Sequence, residues 1–312
     1  MSDQIAIDGI VLLDKPFGLS SNAALQRVKR AYRAQKAGHT GSLDPLASGM
    51  LPICLGEATK LSSVLLDAHK KYRFTVKLGV RTTTGDLEGE VAERCAVPSL
   101  DLLAVNDVLA KFVGRRQQVP PMHSALKHRG KPLYELARRG VEIERTGRTI
   151  EITALEIENL GPDSIKLRIR CSKGTYVRSL AEDIAEALGT CGHVSELRRL
   201  GVDPFMDEPM VELDQLEATA VGDRAELAAW LMPPDRAVAD WPHVELTAEL
   251  AARLLNGQSV SLASSRTPPG AVRVYGPERG FLGLGDVDAE QNLKSRRLIA
   301  APTWLVRLSA SG

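Results

Sequence analysis

Between Gly38 and Gly49 the chain reads Gly-His-Thr-Gly-Ser-Leu-Asp-Pro-Leu-Ala-Ser-Gly. A single carboxylate, Asp44, stands there immediately before Pro45, among glycines that let a backbone approach a ligand closely. Two chemistries fit such an aspartate: a turn residue bonding its own backbone, or a pinned nucleophile. A phosphate loop is excluded, because the Gly-rich run is not followed by Gly-Lys-Ser/Thr. No Ser-His-Asp order and no paired-carboxylate spacing is evident. The four cysteines, Cys54, Cys95, Cys171 and Cys191, are far apart in sequence and form no Cys-x-x-Cys pair. Cys191-Gly192-His193 lacks partners at zinc-like spacing. Buried thiols and no metal are therefore expected.

The net charge of +1 hides a polarisation along the chain. Residues 111–149 hold ten Lys or Arg against three Glu, a local net of +7. Arg27 to Lys36 carries five basic residues and no acid, and so does Lys166 to Arg178. Residues 207–249 reverse the sign, with eleven acids against Arg224 and Arg236. One such run is ordinarily a solvated face. Three in one region, balanced by an acidic one elsewhere, point to a surface that binds a polyanion. The start, Met1-Ser2-Asp3-Gln4, lacks a secretory pattern, and no apolar stretch approaches the roughly 18 residues of a membrane span. A cytoplasmic protein without a membrane partner is expected.

The elements that must position Asp44 can be read on either side of its loop. Residues 10–13 form a short buried strand, and Ser20 or Ser21 can cap a helix in which Leu25, Val28 and Tyr32 recur at helical spacing. Met50 to Leu55 reads as a strand and Glu57 onward as a helix. Residues 71–78 alternate, with Tyr72, Phe74, Val76 and Leu78 on one face and Lys71, Arg73, Thr75 and Lys77 on the other. Ile165, Leu167, Ile169 and Cys171 repeat the pattern against Lys166, Arg168 and Arg170. Such strands predict a mainly antiparallel sheet covered on one side, with a cationic outer face suited to an RNA backbone. Short helices are expected near Pro132–Arg139 and over 175–188, a linker at Pro233-Pro234, and a small β-rich module from about 242.

These residues then become recognisable as a set. The loop from Gly38 to Pro45 resembles the catalytic motif of the TruB family of tRNA pseudouridine-55 synthases. So do Leu13-Asp14-Lys15-Pro16, Gly56-Glu57-Ala58-Thr59-Lys60, Lys71-Tyr72-Arg73, Ser124-Ala125-Leu126-Lys127, the run from Cys171 to Arg178, and Leu197-Arg198-Arg199-Leu200. The blocks follow the family's order over roughly residues 8–215. A lone His-Thr-Gly is weak evidence; the ordered set is strong.

The resemblance implies an isomerase that flips a tRNA uridine out of its stack and rejoins it through carbon 5. Asp44 is the implied nucleophile, Arg178 its ion-pair partner, and Tyr72 the ring that stacks on the uracil with a hydroxyl able to assist proton movement. Tyr176 and Leu197 complete the implied pocket, and His39 contacts the RNA. Lys15, Lys60, Lys127 and Lys173 are implied RNA contacts, and Asp86 orders the surroundings. The implied fold is α+β: a pseudouridine-synthase domain over 8–232, with a basic thumb inserted at 117–148, and a PUA-like β-barrel over 242–309. No cofactor, metal or obligatory protein partner is implied, and the substrate is the tRNA T-arm stem-loop. Two positions depart from the family's habit, Thr83 and His123, and both bear on RNA contact rather than chemistry. Two other readings use the same residues: a guide-dependent synthase, and a non-catalytic RNA-binding protein or tRNA chaperone.

Overall fold

The computed structural model describes residues 7–299 except Ala125, Arg129, Arg138, Asp223 and 263–266; the expected end of the C-terminal module, 300–309, lies outside them. Among the described residues nine strands form one sheet. They are β1 (Gly9–Lys15), β2 (Ala37–His39), β3 (Ala47–Leu55), β4 (Lys70–Leu78), β5 (Gly114–Gln118), β6 (Arg148–Leu160), β7 (Ser164–Cys171), β8 (Gly192–Val202) and β9 (Val211–Glu212). The order is β9-β1-β3-β8-β4-β7-β6-β5, with β2 paired to β3. All neighbours are antiparallel except β9–β1 and β3–β8.

The two halves of this sheet are covered differently, and the sequence shows why. β4 and β7 bury Phe74, Val76, Leu167 and Ile169 on one face only, under the Val177–Ala187 helix. β1 is apolar without alternation because both its faces are packed. Val11 and Leu13 join the main core, whereas Ile10 and Leu12 meet Met50, Leu61, Phe205 and Val238 in a second one. That second core includes Ala237 and Val238 of the Pro234–Val238 turn, so the expected linker is packed against the sheet rather than free. No helix among the described residues is long and apolar enough to cross a membrane.

The C-terminal strands, His243–Glu245, Val260–Ser261, Gly270–Tyr275, Phe281–Val287 and Asn292–Leu298, make a separate five-stranded sheet. Among the described residues its pairing path runs from His243–Glu245 at one edge to Val260–Ser261 at the other, a half-barrel sheet. The Ala248–Leu255 helix covers it through Ala251 and Leu254.

Two expectations need correction. The outer face of β4 and β7 is not a free cationic surface: Glu158 meets both Arg73 and Arg168, Asp163 meets Lys77, Glu196 meets Lys166, and Asp203 meets Arg170. Arg73 and Arg168 are direct cross-strand neighbours, and like charges so placed need a carboxylate between them. The cysteines, distant in sequence, are not all thiols either. Cys95 and Cys191 form a disulfide across 96 residues with Cα atoms 5.7 Å apart, because the Val80–Thr82/Val91–Arg94 hairpin folds back beside the start of β8. Cys54 and Cys171 are buried thiols.

Candidate active site

The Asp44 loop hangs between β2 and β3, and its shape follows from local contacts. Ser20 caps the Ser21–Ala31 helix by accepting from Ala23 N–H. Ser21 Oγ accepts from Leu43 N–H at 2.7 Å and lies 2.9 Å from the Leu43 carbonyl, clamping the loop to the helix start. Below it, β3 passes so close to β8 that Gly49, at φ +100°, has no space for a side chain; a Cβ there would fall 2.1 Å from the Arg199 carbonyl oxygen.

Lys15, expected as an RNA contact, is instead fully buried. Its ammonium donates to the carbonyls of Pro16 at 2.9 Å and Leu19 at 2.6 Å, with that of Pro45 at 3.5 Å. It therefore holds the backbone beside Asp44 from beneath, and burial pulls its pKa down to about 8.

Arg178 sits in the first turn of the Val177–Ala187 helix, where a cation meets the positive end of the helix dipole. Two carboxylates offset that cost. Its Nη2 lies 3.0 Å from Asp44 Oδ2 and its Nη1 3.3 Å from Asp86 Oδ2. The same two nitrogens donate to the carbonyls of His123 at 2.7 Å and Thr84 at 3.0 Å. The Arg178 and Asp86 side chains are 6% and 2% exposed, whereas Asp44 is 41% exposed. Asp86 is therefore the buried anchor and Asp44 the carboxylate that faces outward. Burial pushes the Asp44 carboxyl above the usual carboxylate range; Arg178 pulls it back, Asp86 adds to the rise, and Lys15 opposes it.

Asp44, Ser42, Leu43, Ser124 and Arg178 line both of two cavities that meet at the carboxylate. The first, about 330 Å³, holds Tyr72, Tyr176, Leu197, Lys70 and Arg199, with Lys173 also in its lining. The second, about 450 Å³, holds His39, Asn22, Glu88, His123 and Tyr134. Tyr72, Tyr176 and Leu197 are thus brought together with Asp44 and Arg178, and His39 lies on the far side. His39 Nδ1 is buried without a hydrogen-bond partner, and burial, with the charge of Arg199, lowers the imidazole pKa. Lys173 is ion-paired with Asp67 at 2.8 Å. Lys60 pairs with Glu57 at 2.6 Å and lines neither cavity. The Lys127 side chain lies outside the described residues.

Three members of the site were not singled out from sequence: Arg199, Lys70 and Gln118. Arg199 is 1% exposed; its Nε donates to Met50 O at 2.6 Å and its Nη2 to Gly41 O at 3.0 Å. Burial pushes the Tyr72 phenol up, and Arg199 draws it back by charge and hydrogen bond. Strand parity was the available signal, since a cavity wall at Leu197 requires residue 199 to face the same way. Lys70, two positions from Tyr72, donates to the carbonyls of Leu66 and Ala68 at 2.6 Å each, and burial lowers it to about 8. Gln118 brackets the backbone of Tyr176.

Residues 29–177 match the TruB family pseudouridylate synthase N-terminal domain, 178–239 the tRNA pseudouridylate synthase B C-terminal domain, and 242–299 the pseudouridine synthase II TruB C-terminal model. The chain is 50% identical over 293 residues to the tRNA pseudouridine synthase B of Nitrosococcus oceani, covering 94% of this chain and 95% of that one. It is 52% identical over 299 residues to the protein of the same name from Burkholderia mallei, covering 94% and 97%. Among solved structures, a chain of a Cbf5-Nop10-Gar1 complex superposes with a TM-score of 0.69 at 26% identity, over 91% of this chain and 79% of that one. The fold, an aspartate held by a buried arginine between two cavities, and identity sustained over nearly the whole length converge: this chain belongs to the TruB family of pseudouridine synthases.

Proposed function

We propose that the chain isomerises the T-loop uridine at position 55 of tRNA to pseudouridine, with Asp44 as nucleophile. The observation that carries this is the Asp44–Arg178 pair at 3.0 Å, set at the mouth of a cavity walled by Tyr72, Tyr176 and Leu197. A uridine reaches such a cavity only when it is flipped from its stack. Asp44 attacks the ribose or the base, the bond from uracil N1 to C1′ breaks, and the ring turns against Tyr72. Carbon 5 then bonds to C1′ and the bond to Asp44 breaks, its electron pair returning to the carboxylate; the carbon 5 proton leaves to solvent and N1 gains one, so the product is an isomer. Arg178 keeps Asp44 ionised and oriented.

His39 supports the flipped conformation from the second cavity, and Lys173 meets phosphate at the mouth of the first. Residues 8–232 are the catalytic domain, residues 117–148 the basic thumb that clasps the T-arm, and residues 242–309 a PUA-like RNA-binding domain. The reaction proceeds in the cytoplasm without metal, cofactor or obligatory protein partner. Support for tRNA as substrate comes from the names of the relatives.

Carbodiimide adduct mapping of a tRNA transcript treated with the enzyme tests this reading. Modification confined to uridine 55 is expected, both in whole tRNA and in the isolated T-arm stem-loop. Modification elsewhere, or at no uridine, contradicts it.

A further inference from the structure

Gln118 closes β5, at the root of the basic insertion, and is 4% exposed. Its side-chain amide acts as a peptide group would. Nε2 donates to the Tyr176 carbonyl at 3.0 Å, and Oε1 accepts from the Tyr176 N–H at 2.8 Å. Tyr176 is the residue immediately before the Val177–Ala187 helix, and its own side chain makes no capping bond. Gln118 therefore supplies the fixed points of the corner from which Tyr176 lines the cavity and Arg178 reaches Asp44. Further along the insertion, the His123 carbonyl accepts from Arg178 Nη2 at 2.7 Å. The insertion thus holds the catalytic corner at a backbone, through Gln118, and at a guanidinium, through His123.

We infer that Gln118 is a positioning residue through which the inserted segment sets the geometry of the Tyr176–Arg178 corner. Contact energy gathered by the insertion on RNA is then expressed in the rate of the chemical step as well as in affinity. The inference rests on the proposed roles of Asp44 and Arg178. It adds a residue that touches neither the reacting atoms nor the nucleophile.

The test is single-turnover kinetics on full-length tRNA with wild type, Gln118→Ala, Gln118→Glu and, as a reference, Asp44→Asn. Gln118→Ala leaves the Tyr176 N–H unpaired and its carbonyl with the Leu180 N–H alone; the expected rate loss is about tenfold, the size associated with one buried hydrogen-bonded group. Its tRNA affinity is expected to stay within about threefold of wild type by the same reckoning. Gln118→Glu supplies a signature that a merely structural role does not. A neutral carboxylic acid reproduces the amide's donor and acceptor, whereas a carboxylate faces the Tyr176 carbonyl with no proton to give. The rate of Gln118→Glu relative to wild type at the same pH should therefore climb as pH falls.

A Gln118→Ala rate within twofold of wild type overturns the inference, as does a loss confined to affinity or a flat Gln118→Glu ratio. An active Asp44→Asn enzyme overturns instead the reading on which the inference stands, so the two failures are distinguishable.

Discussion

Asp44 is the outward-facing end of a chain of three charged side chains. Asp86 is buried, Arg178 is buried between two carboxylates, and Asp44 faces the cavities. Burial holds the Asp44 carboxyl above its ordinary range, and Arg178 opposes that rise more than any other group. A nucleophile works only when ionised, so kcat/KM should fall as pH drops through this raised pKa. Arg178→Gln removes the largest force favouring the charged form. The acid limb of its residual activity should therefore move to higher pH, besides the drop in rate. A limb that stays in place or moves down would show that Arg178 does not hold the carboxylate in solution.

Among the elements, the period-two pattern was legible and the partners of its outer face were not. Tyr72 through Leu78 and Ile165 through Cys171 announced two half-buried strands, and the structure has them as β4 and β7. Their lysines and arginines suggested RNA contact because most partners are remote in sequence, Asp163 being 86 residues from Lys77 and Asp203 33 from Arg170; Glu158, 10 residues from Arg168 across the β6–β7 turn, is the near one. Distance also hid the Cys95–Cys191 bridge, 96 residues long; the carbonyl cage around Lys15 is local, from Pro16 and Leu19, but exists only once the turn has folded back over the ammonium. Arg199 was within reach of strand parity; Gln118 was not, since its partner Tyr176 is 58 residues away. Asp44, Arg178, Tyr72, Tyr176 and Leu197 could be assembled only through the ordered family blocks, because each alone resembles an ordinary turn, surface or core residue. The neutralised face makes a definite prediction. Arg168→Gln should leave tRNA affinity and its salt dependence unchanged, whereas loss of a true phosphate contact lowers the log–log slope by about 0.7 to 0.9. A slope change of that size on Arg168→Gln would restore the outer face as an RNA surface.

Over the whole molecule, the C-terminal sheet is joined to the catalytic part through a shared apolar core. Leu284 of the Phe281–Val287 strand is 3% exposed and packs with Ile10, Leu12, Met50 and Val238. The turn that approaches this sheet, Pro234–Val238, is buried in the same cluster. Leu284→Ala should cost about 3 kcal/mol in urea-induced unfolding, as buried leucine truncations do, and the loss should register in probes on both parts together. Unfolding of the C-terminal part alone, with the remainder at its wild-type midpoint, would show that the shared core does not couple them.

The central claim is that Asp44 attacks a tRNA uridine, and tritium release from tRNA labelled at uridine carbon 5 tests it most directly. Wild type should release tritium, while Asp44→Asn should release none and still bind tRNA within a few-fold of wild type, about 1 kcal/mol. Release by Asp44→Asn at the wild-type rate, or no release by either protein with binding intact, would contradict the account.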